Sequence, residues 1–146
     1  MRTSSNQNGF SLIELLLVVV IVGVIAAMAV PAYQRGIRAA ENGSTFAVLR
    51  SISSMQVQYF SSNNRFATLP ELQSIMGNGI GVTTGDRVVR GRYVFEMTPI
   101  SPTPTDLRDG YVISAVRSVS DDVVYRYEVN QSGKITQILP PGGPVN

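Results

Sequence analysis

The sequence contains no cysteine and no histidine, and Lys134 is its single lysine. The missing cysteine excludes disulfides and thiolate chemistry, and the missing histidine removes the usual general base and most zinc ligand sets. A serine nucleophile would need a lysine as its base, and Lys134 falls on a predicted strand. The sequence therefore predicts a protein that is not an enzyme and that has no cofactor and no metal site.

Charge is also sparse, since 12 basic and 10 acidic residues leave a formal net charge of +2 in 146 residues. The basic residues are scattered, whereas a nucleic-acid site requires them to cluster, so a nucleic-acid partner is neither indicated nor excluded. Asp106 and Asp109, together with Asp121 and Asp122, could ligate calcium, but their spacing repeats no recognised calcium loop. Turn chemistry explains Asp121 and Asp122 without a ligand.

Apolar residues, by contrast, are abundant near the start of the chain. Leu15 to Gln34 form an uncharged run of twenty residues. At ~1.5 Å per helical residue the run spans ~30 Å, the hydrocarbon thickness of a bilayer. A cleaved secretory signal is an alternative, although its apolar region is normally only roughly 7 to 15 residues long. A plain single-pass anchor is the other alternative, and basic residues on both sides of the run leave its orientation open.

Glu14 stands at the head of this run. A carboxylate in an apolar segment is costly, and it suggests a functional role and a charged partner. The first cation after it, Arg35, is far downstream. In the simpler interpretation, Glu14 lies at the level of the lipid headgroups, where the helix dipole favours an acid.

The segment Gly9-Phe10-Ser11-Leu12-Ile13-Glu14 follows a short polar leader with one basic residue, and it resembles the class III signal of type IV prepilins. The resemblance implies that a prepilin peptidase cuts between Gly9 and Phe10 and methylates the new amino group of Phe10. It also implies that Glu14 pairs with the Phe10 amine of a neighbouring subunit. Two charges ~4 Å apart attract by ~4 kcal/mol at an effective dielectric of ~20, before desolvation is subtracted. Such a pair sets the register of assembly.

The resemblance continues through Gly23, Pro31 and Tyr33, residue types that the family commonly has in its long helix. Glycine and proline both weaken a helix. We therefore expect one long helix from about Phe10 to Ser62 that is bent or locally loosened between Gly23 and Pro31, and that melts there in a filament.

After Pro31 the helical pattern becomes amphipathic, with a stripe made by Phe46, Leu49, Ile52, Met55 and Tyr59. A short helix is predicted at Pro70 to Met76 in a connecting region that runs from Arg65 to about Arg90, with Gly77 as its stop. Three or four strands follow, at Tyr93 to Met97, Tyr111 to Arg117, Val123 to Val129 and Lys134 to Ile138. The tail from Pro140 to Pro144 should be extended or disordered. The predicted fold class is α+β, with the long N-terminal helix packed on a small C-terminal antiparallel sheet, as in pilins.

These observations divide the chain into a leader peptide (1–9), a hydrophobic membrane and assembly half of the helix (10–34) and a globular domain (35–146). The resemblance implies a structural subunit of a type IV pilus-like filament that polymerises through its helix. Its partners would be the prepilin peptidase, other copies of itself or related pilins, an inner-membrane assembly platform and membrane lipid before assembly. The precursor would lie in the inner membrane, and the product in an extracellular pilus or a periplasmic pseudopilus.

Two alternatives stay open. One is a pseudopilin of a type II secretion system or a minor pilin, because this chain lacks the cysteines with which many major pilins close a C-terminal disulfide loop. The other is a monomeric membrane-anchored binding domain, which would need neither the cut at Gly9 nor Glu14. Separately, the stretch from Glu128 to Ser132 fits an extended bacterial N-glycosylation pattern, a short match of a kind that commonly arises by chance.

Overall fold

The computed structural model describes residues 9, 11–119 and 123–141. The chain divides into two compact units, Met1–Glu41 and Asn42–Asn146. Helix α1, Leu12–Asn63, contributes residues to both units and agrees with the predicted span. The helix is continuous from Gly23 to Pro31. The loosening that we expected in this segment is therefore not visible as an interruption of the helix.

The second unit contains the sheet, and all its neighbouring strands pair antiparallel in the order of the sequence. The strands are β1 (Val82–Thr84), β2 (Arg87–Arg90), β3 (Tyr93–Met97), β4 (Val112–Val119), β5 (Val123–Asn130) and β6 (Ile135–Leu139). The predicted α+β class and the four predicted strands are confirmed, with ends that differ by no more than two residues. The predicted number of three or four strands is wrong, because the described residues form a sheet of six strands.

The two missed strands, β1 and β2, lie in the region that we expected to be a connection. Their hairpin turns through Gly85-Asp86, and the next hairpin turns through Gly91-Arg92. Both glycines have positive φ angles, +63° and +59°, which a two-residue hairpin turn requires at its first central position. A Gly-x pair between short β-branched runs was therefore the sequence signal for these strands.

Two short helical elements complete the unit. Helix α2, Leu69–Met76, begins with a capping box in which Thr68 and Glu71 bond to each other's backbone N–H groups, and it is followed by Gly77 as predicted. Helix α3, Asp106–Asp109, lies between β3 and β4.

The core lies between the C-terminal part of α1 and one face of the sheet. Leu49 and Ile52 of the predicted stripe are fully buried, and Phe46, Met55 and Tyr59 are partly buried against the same cluster. The sheet contributes its alternating inward residues, among them Tyr93, Phe95, Met97, Ile113, Ala115, Tyr127 and Val129. The predicted packing of the apolar helix stripe on the antiparallel sheet is thus confirmed.

Gln56 is a polar residue of α1 that sequence reasoning did not place in this core. Its side chain is fully buried and holds the backbone of Ala67, donating to the carbonyl oxygen at 2.8 Å and accepting from the N–H at 2.7 Å. The amide therefore fixes the chain where it returns from α1 towards α2.

We expect Gln56→Leu to lower the free energy of unfolding by about 2–4 kcal/mol, because leucine leaves both polar groups of Ala67 buried without a partner. Urea unfolding of the full chain in detergent, followed by tyrosine fluorescence, measures the loss. Gln58→Leu is the matched control, since Gln58 is exposed on the same helix. Equal losses in the two variants would contradict the role given to Gln56.

Glu71 forms the second polar connection between α1 and α2. Its carboxylate pairs with the Arg65 guanidinium at 2.5 Å and accepts a hydrogen bond from the Tyr59 hydroxyl at 3.0 Å. The bond from Arg65, aided by the N–H and hydroxyl of Thr68, lowers the pKa of Glu71 from 4.5 to about 2, while burial opposes the change.

We expect this carboxylate to make the domain acid-sensitive. The folded-state pKa is the lower one, so its contribution is complete above about pH 4.5 and is lost as the pH falls towards 2. The side chains of Arg65 and Glu71 are 27% and 34% exposed, so solvent screening reduces the contribution to about 1–2 kcal/mol. Unfolding measured between pH 7 and pH 2 should show a shallower loss for Glu71→Gln than for the unchanged chain.

The control for this experiment is Glu96→Gln. Glu96 also pairs with an arginine, Arg87, at 3.2 Å, but the Arg87 side chain is 51% exposed. We expect a change of no more than about 0.5 kcal/mol from so exposed a pair. If Glu96→Gln changes the pH dependence of the free energy of unfolding as much as Glu71→Gln does, the acid sensitivity does not come from Glu71.

Candidate assembly site

The first unit exposes a continuous apolar surface. In the described part of the chain, α1 is the one helix long and apolar enough to cross a membrane, and none of its most apolar window is buried. The exposure lies all round the helix, as the series Leu12, Leu15, Leu16, Leu17, Val18, Val19, Val20, Ile21 and Val22 shows. A surface of this extent exceeds what soluble monomers present to water, so it requires lipid or other protein as its surroundings.

Glu14 lies in the first turn of this helix and is exposed. Its Oε2 atom accepts a hydrogen bond from the backbone N–H of Ser11 at 3.0 Å, and the first helical bond runs from Leu15 N to Ser11 O at 3.2 Å. Ser11 is therefore the N-cap residue, and Glu14, at the third helical position, supplies one half of a capping box. Within the described residues this is the one hydrogen bond of the Glu14 side chain, and no cation lies beside it.

From the sequence we considered a charged partner for Glu14 and overlooked the hydrogen bond from the backbone N–H of Ser11. The signal was present as the pattern Ser-x-x-Glu over Ser11 to Glu14, which begins directly before the apolar run. The backbone N–H satisfies one oxygen of the carboxylate but brings no full positive charge. The pairing of Glu14 with a charged partner therefore stays a prediction.

The cleavage position is divided between described and undescribed residues. Gly9 is exposed, and a Cβ atom built on it would meet nothing within 4 Å. Phe10 lies outside the described residues, so its predicted cleavage, N-methylation and pairing with Glu14 stay predictions.

Gly23 and Pro31 both lie within α1, where Pro31 has no N–H to donate to the preceding turn. A Cβ atom on Gly23 would also meet nothing within 4 Å. Both residues are exposed, and each lowers the stability of a helix that is nevertheless continuous through them. Melting between them in a filament stays a prediction.

The acidic residues considered for calcium do not form a site in the described part of the chain. Asp106 accepts hydrogen bonds from the backbone N–H and hydroxyl of Thr103 at 2.8 and 2.7 Å, and Asp109 ends the same short helix. Asp121 and Asp122 lie outside the described residues. Among residues 11–119 and 123–141, no group of three or more acidic or other ligating side chains could hold a metal ion.

Comparison with known proteins gives one family model at the N-terminal end of the chain and several similar proteins. Residues 4–30 match the family model of the prokaryotic N-terminal methylation motif. The type IV major pilin protein PilE1 of Neisseria gonorrhoeae is 32% identical over 91 residues, which are 62% of this chain and 51% of that protein. The type IV major pilin protein PilA of Myxococcus xanthus is 25% identical over 127 residues, which are 82% of this chain and 57% of that protein.

The chain spans about half of the length of these curated relatives. No solved structure gives a significant match. This chain therefore carries a prepilin-type N-terminal methylation motif and is similar to type IV major pilins. Its exposed apolar helix and its layout of a long helix and an antiparallel sheet agree with that similarity.

Proposed function

We propose that this chain is the structural subunit of a type IV pilus-like filament. A prepilin peptidase cuts it between Gly9 and Phe10 and methylates the Phe10 amine, and the subunits then polymerise through residues 10–34. The observation that carries the proposal is the exposed Glu14 carboxylate at the head of the exposed apolar part of α1, within a matched methylation motif. The relatives are named type IV major pilin proteins, which supports the role of a filament subunit for this chain.

The apolar surface gives the subunit two environments. In the precursor, lipid covers it, with residues 35–146 on the outer side of the inner membrane. In the filament, the helices of neighbouring subunits replace the lipid. Lipid tails are as apolar as leucine, so the exchange gains little from hydrophobicity and relies on close packing and on polar pairs. An inner-membrane assembly platform would supply the work of extraction.

Glu14 is the polar group on which that exchange depends. Before assembly the Ser11 N–H holds one of its oxygens. In the filament, the methylated amine of Phe10 in the neighbouring subunit brings the missing positive charge to the carboxylate. A subunit that enters out of register leaves both charges unpaired in an apolar surrounding, which is strongly unfavourable. Register is thereby selected as each subunit joins.

Intact mass spectrometry of the protein from its own host tests the proposal, after the sheared surface fraction has been separated from the membranes. A chain that begins at N-methylated Phe10 in the surface fraction is expected. The same processed chain found in the membrane fraction alone would replace the pilus with a pseudopilus or a minor-subunit role. A chain that still begins at Met1 would contradict processing and favour a monomeric anchored domain.

A further inference from the structure

The sequence contains the pattern Asn-x-Ser twice, at Asn42-Gly43-Ser44 and at Asn130-Gln131-Ser132. This pattern is the acceptor of N-linked glycans, and it is used where it lies on an accessible loop. The first copy lies inside α1, where the Asn42 Oδ1 atom accepts a hydrogen bond from the Tyr93 hydroxyl at 2.6 Å. The second copy lies at the end of β5 and in the turn that follows, and its three residues are exposed. The two sites share the Asn-x-Ser pattern, but only the second has an exposed asparagine at the edge of a turn.

The turn at the second copy arranges the amide group of Asn130. Its Oδ1 atom accepts two hydrogen bonds from Ser132, one from the backbone N–H at 3.0 Å and one from the hydroxyl at 2.6 Å. The turn is closed by a bond from Gly133 N to Asn130 O at 2.9 Å. Donors on the oxygen polarise the amide, and within the described residues the Nδ2 atom makes no hydrogen bond. The nitrogen is thus left open to a reaction partner.

Contacts with the rest of the second unit hold this turn in place. The Gln131 side chain lies against Gly110, where a Cβ atom would come within 2.9 Å of the Gln131 amide oxygen. On the other side, a Cβ atom on Gly133 would lie 3.3 Å from the Ser53 hydroxyl. The turn thus lies close to Gly110 and Ser53, while Asn130 itself is exposed.

An acidic residue precedes the acceptor at the spacing that the extended bacterial pattern requires. Glu128 lies two residues before Asn130 in β5, so both side chains are on the same face of the sheet. The Glu128 carboxylate is oriented by Arg126 at 2.7 Å. The first copy has Ala40 at the corresponding position and lacks this negative charge.

We propose that Asn130 is an acceptor site for N-linked glycosylation in the folded domain. The donor class is an oligosaccharide linked to a polyprenyl diphosphate. A bond forms between Asn130 Nδ2 and the anomeric carbon of the sugar, and the bond from that carbon to the phosphate oxygen breaks. Polyprenyl diphosphate leaves, and the amide gives one proton to a base of the transferase. The inference rests on the proposed function in one respect, namely export of the domain to the side of the membrane where such donors are used.

The test uses the full chain, produced in a bacterium that supplies an oligosaccharyltransferase and its lipid-linked oligosaccharide. Trypsin releases residues 127–134 as one peptide, since Arg126 and Lys134 bound it. We expect this peptide to gain the mass of one glycan. Asn130→Gln and Ser132→Ala should lose the modification, while Ser132→Thr, which keeps the hydroxyl donor, should retain it. Asn42→Gln is the matched control and should be modified as fully as the unchanged chain.

A second version of the chain has the residues Glu-Val-Asn-Gln-Ser appended after Asn146. A glycan on the appended copy with none on Asn130 would overturn the proposed site, because enzyme, donor and export are then all in place. Glycan on neither copy would mean that the domain does not reach the transferase, and the export on which the proposed function depends would fail as well. Equal modification of Ser132→Ala would overturn the role of the turn.

Discussion

Glu14→Gln is expected to reduce the amount of subunit in the surface filament fraction at least ~10-fold, while cleavage and membrane insertion continue. Glutamine keeps an oxygen that accepts the Ser11 N–H, since either Glu or Gln completes a capping box. It lacks the charge that would attract the Phe10 amine of the next subunit. A net loss of only ~1.4 kcal/mol per contact weakens each step of addition by a factor of ~10. Quantitative immunoblots of sheared and membrane fractions measure the ratio.

Two further variants separate charge from capping. Glu14→Ala removes both, so it should also fail to assemble, whereas Glu14→Asp keeps the negative charge and should retain part of the assembly. If Glu14→Gln forms filaments as well as the unchanged chain while Glu14→Ala does not, the capping bond is the important interaction. The proposed pairing with the Phe10 amine would then be wrong.

Gly9→Val is expected to abolish cleavage, so that the full chain from Met1 accumulates in the membrane and no filament appears. A Cβ atom on Gly9 meets nothing within 4 Å in the chain itself, so valine causes no clash within the protein. Loss of cleavage would therefore report recognition by the peptidase, whose active site must accept the residue before the cut. Intact mass of the membrane fraction distinguishes the precursor from the chain that begins at Phe10.

Gly36→Ala is the control for this experiment. Gly36 is likewise open, with nothing within 4 Å of a Cβ atom, but it lies in α1 far from the cut. The variant should be processed as completely as the unchanged chain, whatever its effect on later assembly. Normal processing of Gly9→Val would contradict the role of Gly9 in cleavage. The resemblance of the first residues to a prepilin signal would then not correspond to a cut after Gly9.

Much of the candidate site was readable from the sequence because it consists of local features. A glycine-phenylalanine pair, an acid at the head of an apolar run and an uncharged stretch of bilayer length are all contiguous in the chain. The four strands from Tyr93 onwards were readable for a similar reason, since each alternates over several residues. The hairpins of β1 and β2 were overlooked because the strands have only 3 and 4 residues, too few to establish a period.

The surroundings of individual polar residues depended on contacts across the chain. The buried Gln56 side chain accepts a hydrogen bond from the backbone N–H of Ala67, which is distant in the sequence. Asn42 likewise accepts a hydrogen bond from the hydroxyl of Tyr93 in β3. Arg117 continues the inward alternation of β4 and is 2% exposed, with its guanidinium 5.9 Å from the centre of the Tyr93 ring. Composition alone would have placed these side chains at the surface.

By itself, then, the sequence determined the membrane-length helix and the position of Glu14 in it, and it predicts the cut at Gly9, because local motifs and periodicity depend on neighbours within a few residues. Tertiary structure decided that the sheet has six strands, which polar side chains the core accepts, and which of two identical Asn-x-Ser patterns is exposed in a turn. Burial and hydrogen bonding of a side chain depend on residues distant in the sequence, and only the folded chain brings these together.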